Sequence, residues 1–176
     1  ILATWYITEK LDGTSTTFYK KDGILGVCSR NLELKEGDSL PWQIAKRYDL
    51  ANKLPEGIAI QCELIGEGIQ KNRLKQTGQD IYCFNVFNIE WHKYLNYYEF
   101  IPFCKELGIK TVPMVNENFD LLGSVDEMLK YSEGKSLINP ECEREGIVVR
   151  PKIERDYKGG RMSFKVISNA YLLKEE

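Results

Sequence analysis

Three short segments with strand-like alternation, divided by tight-turn signals, open this chain and constrain it toward antiparallel pairing. Thr4 to Lys10 places Trp5, Ile7 and Glu9 on one face and Thr4, Tyr6, Thr8 and Lys10 on the other. Asp12-Gly13 then breaks the run as a turn would. Thr14 to Lys20 and Ile24 to Ser29 flank Lys21-Asp22-Gly23, which is a hairpin signal. Further strands are expected at Gly57 to Ile65, Ile81 to Ile89, Glu145 to Arg150 and Met162 to Ile167. In the first of these Ile58, Ile60, Cys62 and Leu64 share a face and Glu63 lies on the other. Helical spacing appears in three places. Leu40, Ile44, Tyr48 and Ala51 follow Asp38 or Ser39 as cap, with Pro41 in the first turn. Tyr97, Phe100, Ile101, Cys104 and Leu107 stop at Gly108. Ser124 and Glu127 form a capping box for a helix ending near Gly134. Strand hairpins interspersed with helices imply an α+β fold with mostly antiparallel sheets. No linker composition interrupts the chain, so residues 1–176 read as one domain.

The charge balance, 24 basic against 26 acidic residues, excludes a polybasic binder but permits a local basic groove. No apolar run is long enough to span a bilayer as a helix, so no membrane partner is expected. The five cysteines form no C-x-x-C pair, which reads as reduced, mostly buried thiols in an intracellular protein. Gly134-Lys135-Ser136 resembles the end of a P-loop, but Leu129 stands where that loop needs glycine. His92 has no His or Cys partner at metal spacing.

The residues with chemical potential fall in six separate segments. Glu9-Lys10-Leu11-Asp12-Gly13 puts a lysine at the end of a strand, just before a turn. Ser29-Arg30-Asn31 ends the third strand. Glu63 is followed by a glycine-rich loop, Gly66 to Asn72, with Lys71, Arg73 and Lys75 close by. Phe84 to Ile89 is an aromatic strand. Glu145 to Arg150 joins a carboxylate, a glycine and a cation. Ser163 to Ile167 sets Lys165 opposite Phe164 and Val166.

Together these segments resemble the covalent nucleotidyltransferase superfamily of polynucleotide ligases and capping enzymes. Lys10 to Gly13 is similar to its motif I and Ser29 to Asn31 to motif Ia. Glu63 to Gly66 resembles motif III and the stretch around Phe87 motif IIIa. Glu145 to Arg150 resembles motif IV and Phe164 to Ile167 motif V. Gly68-Ile69-Gln70-Lys71-Asn72 resembles a signature of the RNA ligase 2-like group. The end of the chain soon after motif V resembles the RNA ligase 5-like branch, in which an OB-like module precedes the nucleotidyltransferase domain. By that resemblance the chain is a C-terminal catalytic part without its module.

The resemblance implies a nucleotidyltransferase fold and an ATP-dependent RNA ligase. The enzyme lysine would take AMP from ATP, pass it to an RNA 5′-phosphate and release it as a 3′-hydroxyl attacks. Lys10, Glu145 and Lys165 are the implied catalytic residues. Glu9, Leu11, Gly13, Arg30, Glu63 and Phe87 join them as nucleotide contacts, Phe87 by stacking on adenine. Glu145, Glu63 and Asp12 are the candidate ligands of Mg2+ or Mn2+. An amine attacks only when neutral, and at a reference pKa of about 10.4 very few lysines are neutral at pH 7. The site must therefore disfavour the ammonium. Arg150 to Lys165 carries six cations and two acids. Lys71, Arg73, Arg150 and Arg161 are the candidate RNA contacts. The partners are RNA ends and the missing module, and the chain is expected to be a monomer.

Three departures from the family pattern stand out. Ile167 replaces a second motif V lysine, with Arg150 or Arg161 as substitutes. Asn88 replaces the motif IIIa acid, and Arg150 replaces the motif IV lysine. The alternatives are a DNA ligase or capping guanylyltransferase of the same superfamily, and a non-catalytic RNA-end binder.

Overall fold

A computed structural model describes residues 4–121 and 123–174. The remaining residues of the expected 1–176 domain lie outside the described residues. In chain order the elements are β1 (Trp5–Lys10), β2 (Thr14–Lys21), β3 (Ile24–Cys28), α1 (Leu40–Arg47), α2 (Leu50–Lys53), β4 (Ile58–Gly66) and β5 (Gln79–Asn88). They continue as β6 (Lys93–Tyr94), α3 (Tyr97–Leu107), β7 (Met114–Phe119), α4 (Val125–Ser132) and β8 (Gly146–Pro151). The last are β9 (Asp156–Tyr157), β10 (Gly160–Arg161), β11 (Phe164–Ile167) and α5 (Asn169–Leu172). The class is α+β, and every pairing between these strands is antiparallel.

The chain divides into two compact units that interleave in sequence. The first holds the segment ending at Asp12, Arg73–Gln76 and the segment from Val112 onward; the second holds Gly13–Asn72 and Thr77–Thr111. Each has its own sheet and its own core.

In the first unit the sheet order is β11-β8-β1-β7. Trp5, Ile7, Phe119, Met128, Ile147 and Val149 form its core, with Phe164 and Val166 packed against it. Strand periodicity then puts Thr8, Lys10, Val148 and Lys165 on the opposite face. Lys10 pairs with Gly146, and Thr8 and Lys165 both pair with Val148. A side chain on Gly146 would bring Cβ within 2.1 Å of the Val166 carbonyl oxygen, so only glycine lets β11 lie this close.

In the second unit the sheet order is β3-β2-β4-β5-β6. Phe18, Val27, Ile60, Cys62, Leu64, Ile81, Cys83 and Val86 point into its core. They meet Trp42 and Ile44 of α1, Leu50 of α2, and Phe100, Cys104 and Leu107 of α3. The predicted first helix is broken because Asp49 adopts a left-handed φ of 51°, which separates α1 from α2. The predicted stop at Gly108 is a left-handed cap of α3. Ser124 caps α4 by accepting from the Glu127 N–H. The Glu127 carboxylate accepts from the Ser124 hydroxyl, so it does not complete a box through the backbone. All five cysteines are free, and Cys62, Cys83 and Cys104 are buried. No described helix is long and apolar enough to cross a membrane.

One polar cluster ties α1 and β5 together. Asp80 accepts from the Tyr48 hydroxyl, from the Lys110 ammonium at 2.8 Å and from the Ile81 N–H at 2.8 Å. Burial alone would raise its pKa, but these three donors outweigh it and hold the carboxyl below its ordinary value. Folding therefore favours the charged form. That contribution is fully present above the ordinary carboxylate pKa of about 3.9 and is lost as pH falls through the lower folded value. Asp80→Asn is expected to lower the unfolding free energy by about 1–3 kcal/mol at pH 7. Urea melts should show the deficit shrink once pH falls below about 3.9.

Candidate active site

The β1–β8 ladder ends where the chemistry-bearing residues begin. Lys10 is the last residue of β1, and Glu145 immediately precedes β8. Because Lys10 lies opposite Gly146, its side chain reaches the neighbouring carboxylate. Lys10 Nζ donates to Glu145 Oε1 at 2.6 Å, with both groups partly buried. The second oxygen, Glu145 Oε2, is buried and has no hydrogen-bond partner. Burial raises the Glu145 pKa, while Lys10 pulls it down, Asp12 pushes it up and Lys165 pulls it down. Lys165 is exposed on the same sheet face as Lys10. Ile167 lies on that face too, since it pairs with Gly146, so the expected second motif V lysine is replaced by an apolar side chain there.

After Lys10 the chain leaves the ladder. Leu11 is buried. Asp12 Oδ2 accepts from the Tyr171 hydroxyl at 2.7 Å and lies 3.5 Å from Arg73 Nε. The Arg73 guanidinium sits 5.0 Å from the centre of the Tyr171 ring. Burial and Asp12 push the Tyr171 pKa upward. Asp12 and Arg73, expected as a metal ligand and an RNA contact, are thus partners of each other. Tyr171 is the member of this cluster that sequence reasoning missed. No local pattern marks a tyrosine that meets a carboxylate 159 positions away.

Glu9 points from the core face of β1, away from Lys10. It is 1% exposed, its Oε2 accepts from the Leu137 N–H at 2.8 Å, and its Oε1 has no partner. Burial raises its pKa against the opposing effects of Ser136, the Leu137 N–H and Arg144.

In the second unit, Glu63, Gln61 and Ala59 lie on the face of β4 opposite the core. The predicted alternation of Glu63 against Ile60, Cys62 and Leu64 therefore holds. Glu63 Oε1 accepts from the Gly13 N–H at 3.1 Å. A Cβ on Gly13 would come within 2.3 Å of the Leu64 carbonyl oxygen, so the backbone approach that allows this bond requires glycine. Phe87 pairs with Ala59 and so shares the face of Glu63. Tyr82, opposite Glu63, and Phe87 are five residues apart and would face opposite ways in a regular strand. The register shift between Gln61 and Cys62 leaves Phe84 without a partner on β4 and brings both onto one face. Phe87 is half-buried and meets Tyr94 edge-on at 5.0 Å and His92 at 6.2 Å. Asn88, in place of the expected acid, accepts from the Trp91 N–H in the following turn. Arg30 is exposed in the turn closed by Ser29 and Leu32.

The candidate RNA contacts diverge. Lys71 is exposed in the glycine-rich loop, where Gln70 and Asn72 both take left-handed φ, 48° and 42°. Arg150 requires correction. It is 7% exposed on β8, and its Nε donates to Ser163 Oγ at 3.1 Å, so it is a buried structural cation. Burial and neighbouring Arg161 lower its pKa. Arg161 makes a two-pronged ion pair with Glu154.

Among the described residues no group of three or more His, Cys, Asp or Glu side chains is arranged to hold a metal ion. The buried, unpartnered Oε2 of Glu145 is nonetheless a hard oxygen of the kind a divalent cation takes as a single protein ligand.

A model of the RNA ligase family matches residues 3–167, and the chain belongs to that family. No curated protein sequence matches it. Solved structures of a Naegleria gruberi RNA ligase do. A point mutant with ATP and Mn shares 36% identity and a TM-score of 0.88 over 98% of this chain and 51% of that one. A mutant with AMP and Mn gives 36% and 0.88 over 98% and 52%. The ligase with PPi gives 37% and 0.87 over 98% and 52%. This chain thus spans about half the length of that ligase. Its fold is the RNA ligase nucleotidyltransferase fold.

The tight fit at Gly146 is testable without any assay of activity. Gly146→Ala should force β11 away from β8 and lower the unfolding free energy by about 1–3 kcal/mol, read as a lower urea midpoint.

Proposed function

We propose that this chain is the adenylyltransferase part of an ATP-dependent RNA ligase and that Lys10 becomes covalently linked to AMP. The observation that carries the reading is the Lys10–Glu145 contact at 2.6 Å at the end of a rigid ladder, with Lys165 on the same face. Lys10 Nζ, as the free amine, attacks the α-phosphorus of ATP. The N–P bond forms, the bond to pyrophosphate breaks, and pyrophosphate leaves with the electron pair. One proton leaves the ammonium along the existing hydrogen bond to Glu145 before attack, and a second leaves the nitrogen to solvent as the N–P bond forms. Lys165 contacts the α-phosphate and stabilises the charge that develops there.

Glu145 is the protein ligand for Mg2+ or Mn2+, with Glu63 and Asp12 as further candidates. Such an ion, when bound, draws negative charge from the phosphates and weakens the hold of the carboxylate on the Lys10 ammonium. Glu63 and Arg30 serve the ribose, and Phe87 the face of adenine. Leu11 and Gly13 flank the bound nucleotide. Glu9, expected as a nucleotide contact, is turned into the core and holds the Leu137 N–H, so its side chain is left out of the adenine contacts of this proposal. In the relatives' structures the ligands include ATP and PPi, the reactant and the leaving group of this step, together with AMP and Mn.

The later steps act on RNA 5′-phosphate and 3′-hydroxyl ends. Lys71 and the exposed Arg155 and Lys158 supply sequence-independent phosphate contacts. An OB-like module in the same native chain completes the enzyme, in keeping with relatives of twice the length. The protein acts as a monomer inside the cell, where its five thiols stay reduced.

Incubation with labelled ATP and Mn2+ or Mg2+ should give an acid-labile, base-stable adduct, and GTP should give none. Lys10→Ala should abolish it, and Glu145→Gln should slow it about 100-fold or more. Labelling by GTP instead would favour a capping-type enzyme, and unchanged labelling of Lys10→Ala would refute the assignment.

A further inference from the structure

We infer that Tyr171 is a positioning residue for Lys10: with Arg73 it fixes the Asp12 carboxylate, and through it the turn that follows the nucleophile. The inference rests on the reading of Lys10 as the adenylylated lysine. The last rung of the β1–β8 ladder is Lys10–Gly146, so no strand pairing holds the chain beyond Lys10. What fixes the next residues is side-chain contact. Leu11 is buried, and Asp12 receives the Tyr171 hydroxyl at 2.7 Å and faces Arg73 Nε at 3.5 Å. Arg73 in turn lies over the Tyr171 ring, so each of the three groups touches the other two.

The segment that carries Tyr171 is itself anchored beside the site. The Tyr171 N–H donates to Ser168 Oγ. The fully buried Ser168 donates its own N–H to the Glu145 carbonyl at 2.8 Å. One short stretch, Ser168 to Tyr171, is therefore bonded to the backbone of the residue that pairs with Lys10. It is also bonded to the side chain two residues beyond Lys10. With Oδ2 committed to Tyr171 and Arg73, the Asp12 carboxylate is fixed in orientation. The family match ends at residue 167, four positions before Tyr171, so Tyr171 lies outside the matched region while Asp12 and Arg73 lie within it.

Tyr171→Phe tests this, because phenylalanine keeps the ring under Arg73 and deletes only the hydroxyl. The rate constant for adduct formation at saturating ATP should fall about 10- to 100-fold, the scale of a misplaced reacting group. The ATP concentration for half-maximal rate should stay within about twofold. Asp12→Asn should show a similar loss, and the double variant should be no slower than the slower single one. Amide exchange at Leu11 to Gly13 should quicken about tenfold or more in Tyr171→Phe, with the remaining protection intact. A wild-type rate, a double variant whose loss is the product of the two single losses, or unchanged exchange at Leu11 to Gly13 would overturn the brace. A wild-type chain that never labels would refute the reading of Lys10, and the exchange measurement would still decide the brace alone.

Discussion

The register of β1 against β8 is the constraint on which the first unit depends. With Lys10 opposite Gly146, the lysine amine meets the carboxylate that precedes the strand. A shift by one residue would turn Trp5 and Ile7 out of the core and Lys10 into it. Burial of the Trp5 and Ile7 face therefore specifies the placement of Lys10. Gly146 closes the arrangement, because only glycine admits β11 against β8 and so sets Lys165 on the lysine-bearing face.

The contact between Lys10 and Glu145 is an ion pair in a partly dry setting, and that makes it costly to leave incomplete. Glu145 has one oxygen on Lys10 and one buried without a partner. Burial resists its charge, and two lysines support it. A carboxylate so placed has an oxygen free to take a second cationic partner. That is the property the proposed adenylylation needs beside its lysine, which must lose a proton before it attacks. In the second unit a bulge performs a comparable positioning task, setting Phe87 on the face of Glu63.

Most elements with one buried face were legible as period-two or period-3.6 patterns. β7 was not, because the polar run Asn116-Glu117-Asn118 breaks the alternation of Met114 to Phe119 and the strand pairs with β1 through two irregularities of register. The break between α1 and α2 was hidden because Asp49 takes a left-handed conformation that its sequence context does not announce. Lys10, Glu145 and Lys165 were singled out through motif order, and the structure brings Lys10 onto Glu145 with Lys165 on the same face. Arg150 was misread, since a cation at the end of an apolar strand has the same sequence signature whether it is buried or exposed. Here it is buried and bonded to Ser163. The Asp12–Arg73–Tyr171 cluster was not legible, because it joins three segments distant in sequence and depends on the tertiary fold alone.

The most direct test of the central claim is to locate the modified atom. After incubation with ATP and Mn2+, proteolysis and tandem mass spectrometry should find one AMP per chain, joined through a phosphoramidate to Lys10. An AMP carried by Lys165 or any other residue, or bound ATP with no covalent product under conditions in which the longer relative reacts, would contradict the account.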